Sequence, residues 1–190
     1  STDETAEGYL ETQIINCRDK ELFISSVIKD KVETKYSPEE LKYDWTVSYD
    51  DGEIFEAYGE ASTISTTSKA IFRLVVTDKV TGCPAVADTI IIKENIVKPV
   101  ISYIESYETI NPTGTGIKEE DVLTCKKPVI YLRPTIEEST DVSYKWSDDS
   151  TEDYLKVEEQ GTYGLIVEDN TSFCSSDEVT FSVTENKRTP

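Results

Sequence analysis

The sequence contains no histidine and no methionine, and it has only four cysteines among its 190 residues. Without histidine the chain has no imidazole base for a Ser-His-Asp or Cys-His catalytic unit. Zinc sites need closely spaced cysteines or histidines, and no two cysteines lie close together in this sequence. Carboxylates are abundant, but no motif localises a pair of them as a glycosidase requires. We therefore expect a protein without enzymatic activity.

The chain also lacks a run of about 20 apolar residues, the length that a membrane-spanning helix needs. No signal-peptide pattern stands at its start, and its first residue is Ser1 rather than methionine. These features predict a protein that is not embedded in a membrane. They also lead us to expect a mature segment or an excerpt of a longer protein.

Basic residues are few relative to acidic ones, with 19 Lys and Arg against 38 Asp and Glu, for a formal net charge of −19. The acidic residues occur throughout both halves rather than in a tail. Such a charge repels nucleic acids and anionic membrane surfaces, so neither is expected as a partner. It favours instead a soluble outer surface that resists aggregation.

An internal repeat is the most informative pattern in the sequence. Residues 161–183 alternate apolar and polar side chains, pass through a polar turn at 169–172, and alternate again, which is typical of two antiparallel strands. Residues 70–92 contain the same pattern. Superimposing Asp78 on Asp169 also superimposes Cys83 on Cys174. The chain is therefore predicted to contain two copies of one module.

Each copy is about the size of a small β-sandwich, and no segment shows the apolar spacing of a long helix. About seven short strands per copy predict an all-β protein of two tandem immunoglobulin-like sandwiches, residues 1–97 and 98–190. The short polar linker 93–99 ends in Pro99, which favours a semi-rigid joint.

Four cysteines allow three pairings, and the repeat favours one disulfide in each module. The expected bonds are Cys17–Cys83 and Cys125–Cys174. Two disulfides imply an oxidising location, in the periplasm, at the cell surface or in the medium.

Four large side chains are expected in the two cores because they alternate in phase with other apolar residues. Trp45 and Trp146 each lie two residues after a tyrosine in a strand-like segment, which favours burial over a role as a sugar platform. Phe72 and Tyr163 occupy equivalent positions in the repeat and are assigned to the cores as well.

The second half contains a series of motifs, namely Leu123-Thr124-Cys125, Tyr144, Trp146, Gly161-Thr162-Tyr163, Val167, Asp169, Cys174 and Val179. This series resembles the repeat of large Bacteroidetes cell-surface proteins, in particular of gliding-motility adhesins exported by the type IX secretion system. In the first half, residues 43–52 also resemble the signature of polycystic-kidney-disease (PKD) domains, a related sandwich. The resemblance implies immunoglobulin-like sandwiches used in tandem as a stalk, without catalytic residues.

We expect no cofactor. Calcium is the alternative, because clustered carboxylates in loops can bind this ion. The candidate ligands are Asp50 and Asp51 in the first half and Asp148 and Asp149 in the second. Neither cluster has the DxDxDG spacing, so solvated acidic turns are the preferred interpretation. Asp78 and Asp169 precede turns, and we expect each to accept hydrogen bonds from the amides of its own turn.

Two functions from different classes remain. The first is a stalk or spacer in a large bacterial surface adhesin, with neighbouring repeats of the same chain as partners and the cell surface as its location. The second is a module that binds polysaccharide, a solid surface or a protein. An exposed aromatic patch would favour the second function, and its candidates are Tyr49, Tyr58, Tyr103 and Tyr107.

Overall fold

Alternating apolar and polar residues form fourteen β-strands in the part of the chain that the structure describes, residues 11–25, 38–85 and 88–187 of this computed structural model. The chain divides into two compact units, Ser1–Asn95 and Ile96–Pro190. The sequence analysis placed the division after residue 97. Besides the strands, the described residues include one short 3-10 turn, Pro38–Glu40. They contain no helix with the length and apolar character that a bilayer crossing requires.

The first unit has seven strands in two sheets. Five of them form one sheet in the order β1-β7-β6-β3-β4, and β2 pairs with β5 in the other. Strand β1 runs parallel to β7, whereas the other pairs are antiparallel. The strands are β1 (Glu11–Asn16), β2 (Leu22–Ser25), β3 (Leu41–Ser48), β4 (Glu56–Gly59), β5 (Thr63–Thr66), β6 (Ala70–Asp78) and β7 (Asp88–Asn95).

The second unit has seven more strands, divided four and three between its two sheets rather than five and two. One sheet has the order β11-β13-β14-β9 and the other the order β12-β10-β8, and β9 runs parallel to β14 as β1 does to β7. Two facing sheets with this strand order are typical of an immunoglobulin-like sandwich. The strands are β8 (Val100–Tyr107), β9 (Asp121–Thr124), β10 (Ile130–Glu137), β11 (Val142–Trp146), β12 (Leu155–Val157), β13 (Gly161–Asp169) and β14 (Val179–Asn186).

Both tryptophans lie in the cores of their units. Trp45 on β3 is 2% exposed, Trp146 on β11 is 1% exposed, and Phe72 on β6 is completely buried. Each indole N–H also has a partner, since Trp45 donates to the carbonyl of Ala61 (2.9 Å) and Trp146 to that of Glu152 (3.0 Å). A buried ring with a satisfied N–H stabilises the core and offers no platform to a sugar.

Tyr163 differs from Phe72, its equivalent in the repeat, because it lies at the margin of its core. The Tyr163 ring is partly buried, and its hydroxyl donates to the carbonyl of Glu159, four residues earlier (2.9 Å). A tyrosine near the start of this strand that bonds back to the preceding corner is a hallmark of immunoglobulin-like domains. The completely buried Phe72 has no hydroxyl to make such a bond.

The predicted disulfide pairing is wrong. Cys17 and Cys174 are disulfide-bonded, whereas Cys83 and Cys125 are exposed free thiols, so neither Cys17–Cys83 nor Cys125–Cys174 is formed. Each predicted bond paired one disulfide-bonded cysteine with one free thiol. The repeat therefore identified equivalent cysteines correctly but did not identify their partners.

The physical reason is the parallel pairing of the strand before the first cysteine of each unit. Asn16 is paired with Asn95, the last residue of β7, so Cys17 lies at that end of the sheet. Cys83 lies at the opposite end, next to the bridge between Thr77 and Pro84. The eight residues of β7 alone extend about 25 Å. A disulfide requires Cα atoms within about 7 Å.

The same separation holds in the second unit. Thr124 at the end of β9 is paired with Asn186 at the end of β14, which places Cys125 at that end. Cys174 precedes β14 and lies next to the bridge between Glu168 and Ser175, at the other end of the sheet. We call the end that contains the turn of Cys83 or Cys174 the leading end of its unit. The end that contains Cys17 or Cys125 is the trailing end.

Candidate functional site

The turn of Cys174 is built around a buried carboxylate. The side chain of Asp169 accepts hydrogen bonds from the amides of Thr171 (3.0 Å) and Ser172 (2.5 Å) and from the hydroxyls of Thr171 and Ser139. The Ser139 hydroxyl, the Ser172 amide and the Thr171 hydroxyl hold the pKa of Asp169 well below its usual range. The Asp169 amide in turn donates to the carbonyl of Cys174 (3.0 Å), which closes the turn.

The turn of Cys83 has the same construction. The side chain of Asp78 accepts from the amides of Val80 (2.7 Å) and Thr81 (3.3 Å), and the Val80 amide is the main reason that the pKa of Asp78 is lowered. The Asp78 amide donates to the carbonyl of Cys83 (3.1 Å). The expectation that both aspartates accept from the amides of their own turns is therefore confirmed.

The residue before the cysteine has a left-handed backbone in both turns. It is Gly82 in the first unit, with φ of 72°, and Phe173 in the second, with φ of 55°. Glycine adopts this conformation without steric cost, whereas phenylalanine adopts it only where the surroundings impose it. The two turns therefore share one backbone conformation although their sequences differ.

The other two cysteines also share a turn. The backbone N–H of Asn16 donates to the carbonyl of Asp19 (3.1 Å), and the backbone N–H of Thr124 donates to the carbonyl of Lys127 (2.9 Å). In each turn the side-chain oxygen of the first residue accepts an amide, from Asp19 at 2.6 Å or from Lys127 at 3.0 Å. Cys17 and Cys125 thus occupy the same position of the same turn.

A buried ionic cluster anchors the short strand β9. The carboxylate of Asp121 accepts the hydroxyl of Ser106 on β8 (2.6 Å), the amide of Val122 (2.7 Å) and the ammonium of Lys127 (2.5 Å). Burial acts to raise the pKa of Asp121, but the hydrogen bonds from Lys127 and Ser106 outweigh it and lower the pKa. The cluster serves the structure of the unit.

The candidate calcium ligands are engaged in their own turns. Asp50 accepts from the amide of Ile54 (3.0 Å) and from the hydroxyl of Ser48, and the Ile54 amide is the main cause of its lowered pKa. Asp148 accepts from the amide and the hydroxyl of Ser150. Asp51 and Asp149 have left-handed backbones, with φ of 59° and 67°. Among the described residues no group of three potential ligands is placed to hold a metal ion.

The candidate tyrosines differ in their availability. Tyr58 packs edge-on against Phe72, and its hydroxyl donates to the carbonyl of Ser65. Tyr103 lies under the ammonium of Lys118, which is 3.5 Å from the ring centre, and Tyr107 donates its hydroxyl to Glu105. Tyr49 is 57% exposed. It is therefore the candidate whose ring is most open to a ligand.

Tyr49 lines a shallow pocket of about 230 Å³ beside β3 and β4 together with Val47, Asp50, Ile54 and Glu56. Burial, followed by the proximity of Tyr58 and Glu56, raises the pKa of the Tyr49 hydroxyl. The phenol is consequently neutral and available as a hydrogen-bond donor at neutral pH. The pocket combines an exposed ring with two carboxylates that accept hydrogen bonds.

The second unit has a pocket of about 210 Å³ at a related place, beside β11. Its lining includes Trp146, but that ring is buried, and the pocket has no exposed aromatic side chain. The two pockets therefore differ in the feature that would contribute most to binding a sugar ring.

Comparisons with known proteins find similar solved structures at low identity. No protein-family profile matches the chain, and no curated protein matches its sequence. The three N-terminal domains of the bacteriophage RB49 highly immunogenic outer capsid protein (Hoc) are 13% identical, with a TM-score of 0.42, and the match covers 87% of this chain and 54% of that one.

Two bacterial structures are also similar. One is the C-terminal 282-residue fragment of intimin, solved in complex with the intimin-binding domain of its translocated receptor. It is 11% identical with a TM-score of 0.36, and the match covers 75% of this chain and 51% of that one. The other is SGBP-B of the Bacteroides ovatus mixed-linkage glucan utilization locus, solved in complex with a mixed-linkage heptasaccharide. It is 14% identical with a TM-score of 0.32, and the match covers 93% of this chain and 44% of that one. This chain thus spans about half the length of each of these three solved chains.

Proposed function

We propose that the chain is a pair of tandem immunoglobulin-like modules of a large bacterial cell-surface adhesin of the gliding-motility type, in which they serve as a stalk or spacer. The observation that carries this proposal is structural repetition. The order β1-β7-β6-β3 in the first unit matches β9-β14-β13-β11 in the second, the strand before the first cysteine runs parallel to the last strand in both, and both units contain the same two cysteine-containing turns. Repeated modules are typical of proteins that extend over distance by adding copies. No catalytic role is included in the proposal.

Charge and cysteine chemistry support a location outside the cell. A net charge of −19 keeps repeated modules soluble and prevents them from associating with one another. The disulfide bonding of Cys17 and Cys174 requires an oxidising environment, which the cell surface provides.

The test measures retention of the purified chain on a panel of polysaccharides and solid surfaces, with calcium and with a chelator. The spacer function predicts no saturable retention under either condition and the same melting temperature in both. Saturable retention on one class of ligand would contradict a purely spacing role. A melting temperature that rises with calcium would contradict the assignment of the acidic turns as solvated.

A second candidate function is favoured by the pocket of Tyr49. A ring that is 57% exposed, beside the carboxylates of Asp50 and Glu56, offers a stacking face and two hydrogen-bond acceptors to a polyhydroxylated ligand. In this alternative the first unit binds polysaccharide, and the second unit acts as its spacer.

Replacing Tyr49 tests the alternative directly. Tyr49→Ala is expected to weaken polysaccharide retention at least tenfold, which corresponds to about 1.4 kcal/mol, because the stacking face is lost. The matched control is Phe23→Ala, which removes a ring of similar exposure (68%) from the other sheet of the same unit. Equal effects of the two substitutions would show that this pocket is not the binding site.

A further inference from the structure

The pocket of Tyr49 contains two carboxylates and, among the described residues that line it, no basic side chain. Those residues are Val47, Tyr49, Asp50, Ile54 and Glu56. Glu56 is exposed, and Asp50 stays ionised at neutral pH because the amide of Ile54 donates to its carboxylate and lowers its pKa. The ion pairs among the described residues include neither Asp50 nor Glu56. The pocket therefore carries negative charge that its own side chains do not neutralise.

The basic residue on the neighbouring strand β6 is directed to the other face of the sheet. Arg73 is paired with Thr46 on β3, and its guanidinium lies over the ring of Phe55, 3.7 Å from the ring centre. Val47, the next residue of β3, is 2% exposed and belongs to the core. Because side chains alternate between the faces of a strand, Arg73 and Thr46 point away from the face on which Val47 lines the pocket. Arg73 thus leaves the carboxylates of the pocket without a cation.

The ring of Tyr49 supplies a second means of binding a cation. It is 57% exposed, and the face of an aromatic ring attracts positive charge through its quadrupole. Ile54, which is 70% exposed, adds apolar surface to the same pocket. An aromatic face beside carboxylates suits an ammonium group, because the ring attracts the charge and the carboxylates accept its N–H bonds.

The pocket of the second unit provides an internal comparison. It also contains two carboxylates, Asp149 and Glu178, but its lining includes the ammonium group of Lys145. Its aromatic residue, Trp146, is buried. Of the two pockets, that of Tyr49 is therefore the one that offers a ring face and lacks a cation of its own.

The size of the pocket of Tyr49 favours a single sugar residue as its occupant. Its volume is about 230 Å³, whereas sites for drug-sized ligands have volumes of about 300–1,000 Å³. One residue of a polymer can enter such a pocket while the rest of the polymer remains outside. The flat ring of Tyr49 suits the apolar face of a sugar, and the carboxylates suit a positively charged substituent on it.

We propose that the pocket of Tyr49 binds a polysaccharide through a protonated amino group on one of its sugars, so that the ligand is a glycan with free amines, of the glucosamine type. This inference rests on the alternative function, in which the first unit binds polysaccharide. The ammonium group donates to the carboxylates of Asp50 and Glu56, and the sugar ring stacks on Tyr49. The net charge of −19 adds to the selectivity, because it attracts cationic polymers and repels polymers that carry uronate or sulfate groups.

The experiment compares two hexasaccharides that differ only in acetylation, one of glucosamine and one of N-acetylglucosamine. Binding to the full chain is measured by isothermal titration calorimetry at about pH 6, at which carboxylates are ionised. The glucosamine hexamer carries ammonium groups under these conditions and the acetylated hexamer is neutral. We expect the glucosamine hexamer to bind about tenfold more tightly or better. Added sodium chloride should reduce this difference, because salt screens exposed charges.

Glu56→Gln is the variant that tests the charge, because Asp50 also closes its own turn. It should weaken binding of the glucosamine hexamer about fivefold or more and leave binding of the acetylated hexamer unchanged. The matched control is Asp149→Asn in the other pocket, which removes the same charge from the molecule. Asparagine suits the left-handed backbone at Asp149, where φ is 67°. Equal losses in both variants would show attraction by the overall charge alone and would overturn the proposal.

Failure of this inference and failure of polysaccharide binding give different results. If both hexamers bind equally and Tyr49→Ala weakens both, the pocket binds polysaccharide without selecting an ammonium group, and the inference is wrong. If neither hexamer binds, and no other polysaccharide is retained, the alternative function fails as well. If a hexamer of lysine displaces the glucosamine hexamer at an equal concentration, the ligand is a lysine-bearing protein, and the assignment to a sugar is overturned.

Discussion

At the scale of single residues, the aspartate that precedes the turn of Cys83 or Cys174 is the best-defined feature of each unit. Asp78 and Asp169 occupy equivalent positions in the sequence repeat. In the structure the carboxylate of each accepts hydrogen bonds from the backbone amides two and three residues later. A short carboxylate before a turn accounts for this, because it reaches the nearby amides of its own chain. The additional bond from Ser139 to Asp169 joins residues that are distant in sequence, and no local pattern indicates it.

We expect Asp169→Ala to lower the free energy of unfolding by about 2 kcal/mol, because several hydrogen bonds to a buried charge are lost. The measurement is urea unfolding in a Trp45→Phe background, in which Trp146 reports on the second unit. Asp78→Ala, in the more exposed turn, is the matched comparison and should leave the Trp146 signal unchanged. An equal effect of both substitutions on that signal would contradict the local role assigned to Asp169.

The pH dependence of stability follows from the same residue. The pKa of Asp169 is lower in the folded than in the unfolded protein, so its contribution is fully present above about pH 4 to 5 and is lost as the pH falls through the folded pKa. Between about pH 5 and 3, the free energy of unfolding should therefore depend less on pH in Asp169→Asn than in the natural protein. If the dependence of the free energy of unfolding on pH is the same in both, other carboxylates dominate it.

At the scale of elements, the parallel strands β1 and β9 determine where the cysteines lie. Alternation in the sequence indicates a strand but not its direction relative to a distant neighbour. The repeat therefore suggested two disulfides within modules, and the parallel registers of β1 with β7 and of β9 with β14 exclude both. Strand direction is a property of the assembled sheet, so it could not be predicted from these short segments alone.

Strand β9 has only four residues, and we expect its position to depend on the ionic cluster at Asp121. Lys127→Met keeps the aliphatic stem but removes the ammonium from a buried carboxylate, and should cost about 2 kcal/mol. The neighbouring exposed Lys126→Met is the control and should have little effect. Both are measured by thermal unfolding, and equal stabilities of the two variants would rule out this role for the cluster.

At the scale of the whole molecule, the charge is the dominant property. A formal charge of −19 on 190 residues makes the folded state repel itself, and added salt screens that repulsion. We expect the melting temperature at pH 7 to rise between low and moderate sodium chloride. The effect should shrink near the sequence pI of about 4.3. A melting temperature at pH 7 that falls with salt would indicate that attractive ion pairs outweigh the repulsion.

Sequence alone determined the all-β class, the two copies, the equivalence of the cysteines and the burial of Trp45 and Trp146. These features follow from side-chain period and local turn chemistry, which each segment contains within itself. Tertiary structure decided which strands are parallel, which ends of the units contain the thiols, and that Tyr49 remains open while Tyr58 packs on Phe72. These depend on contacts between residues far apart in the chain, and such contacts exist only once both sheets are assembled.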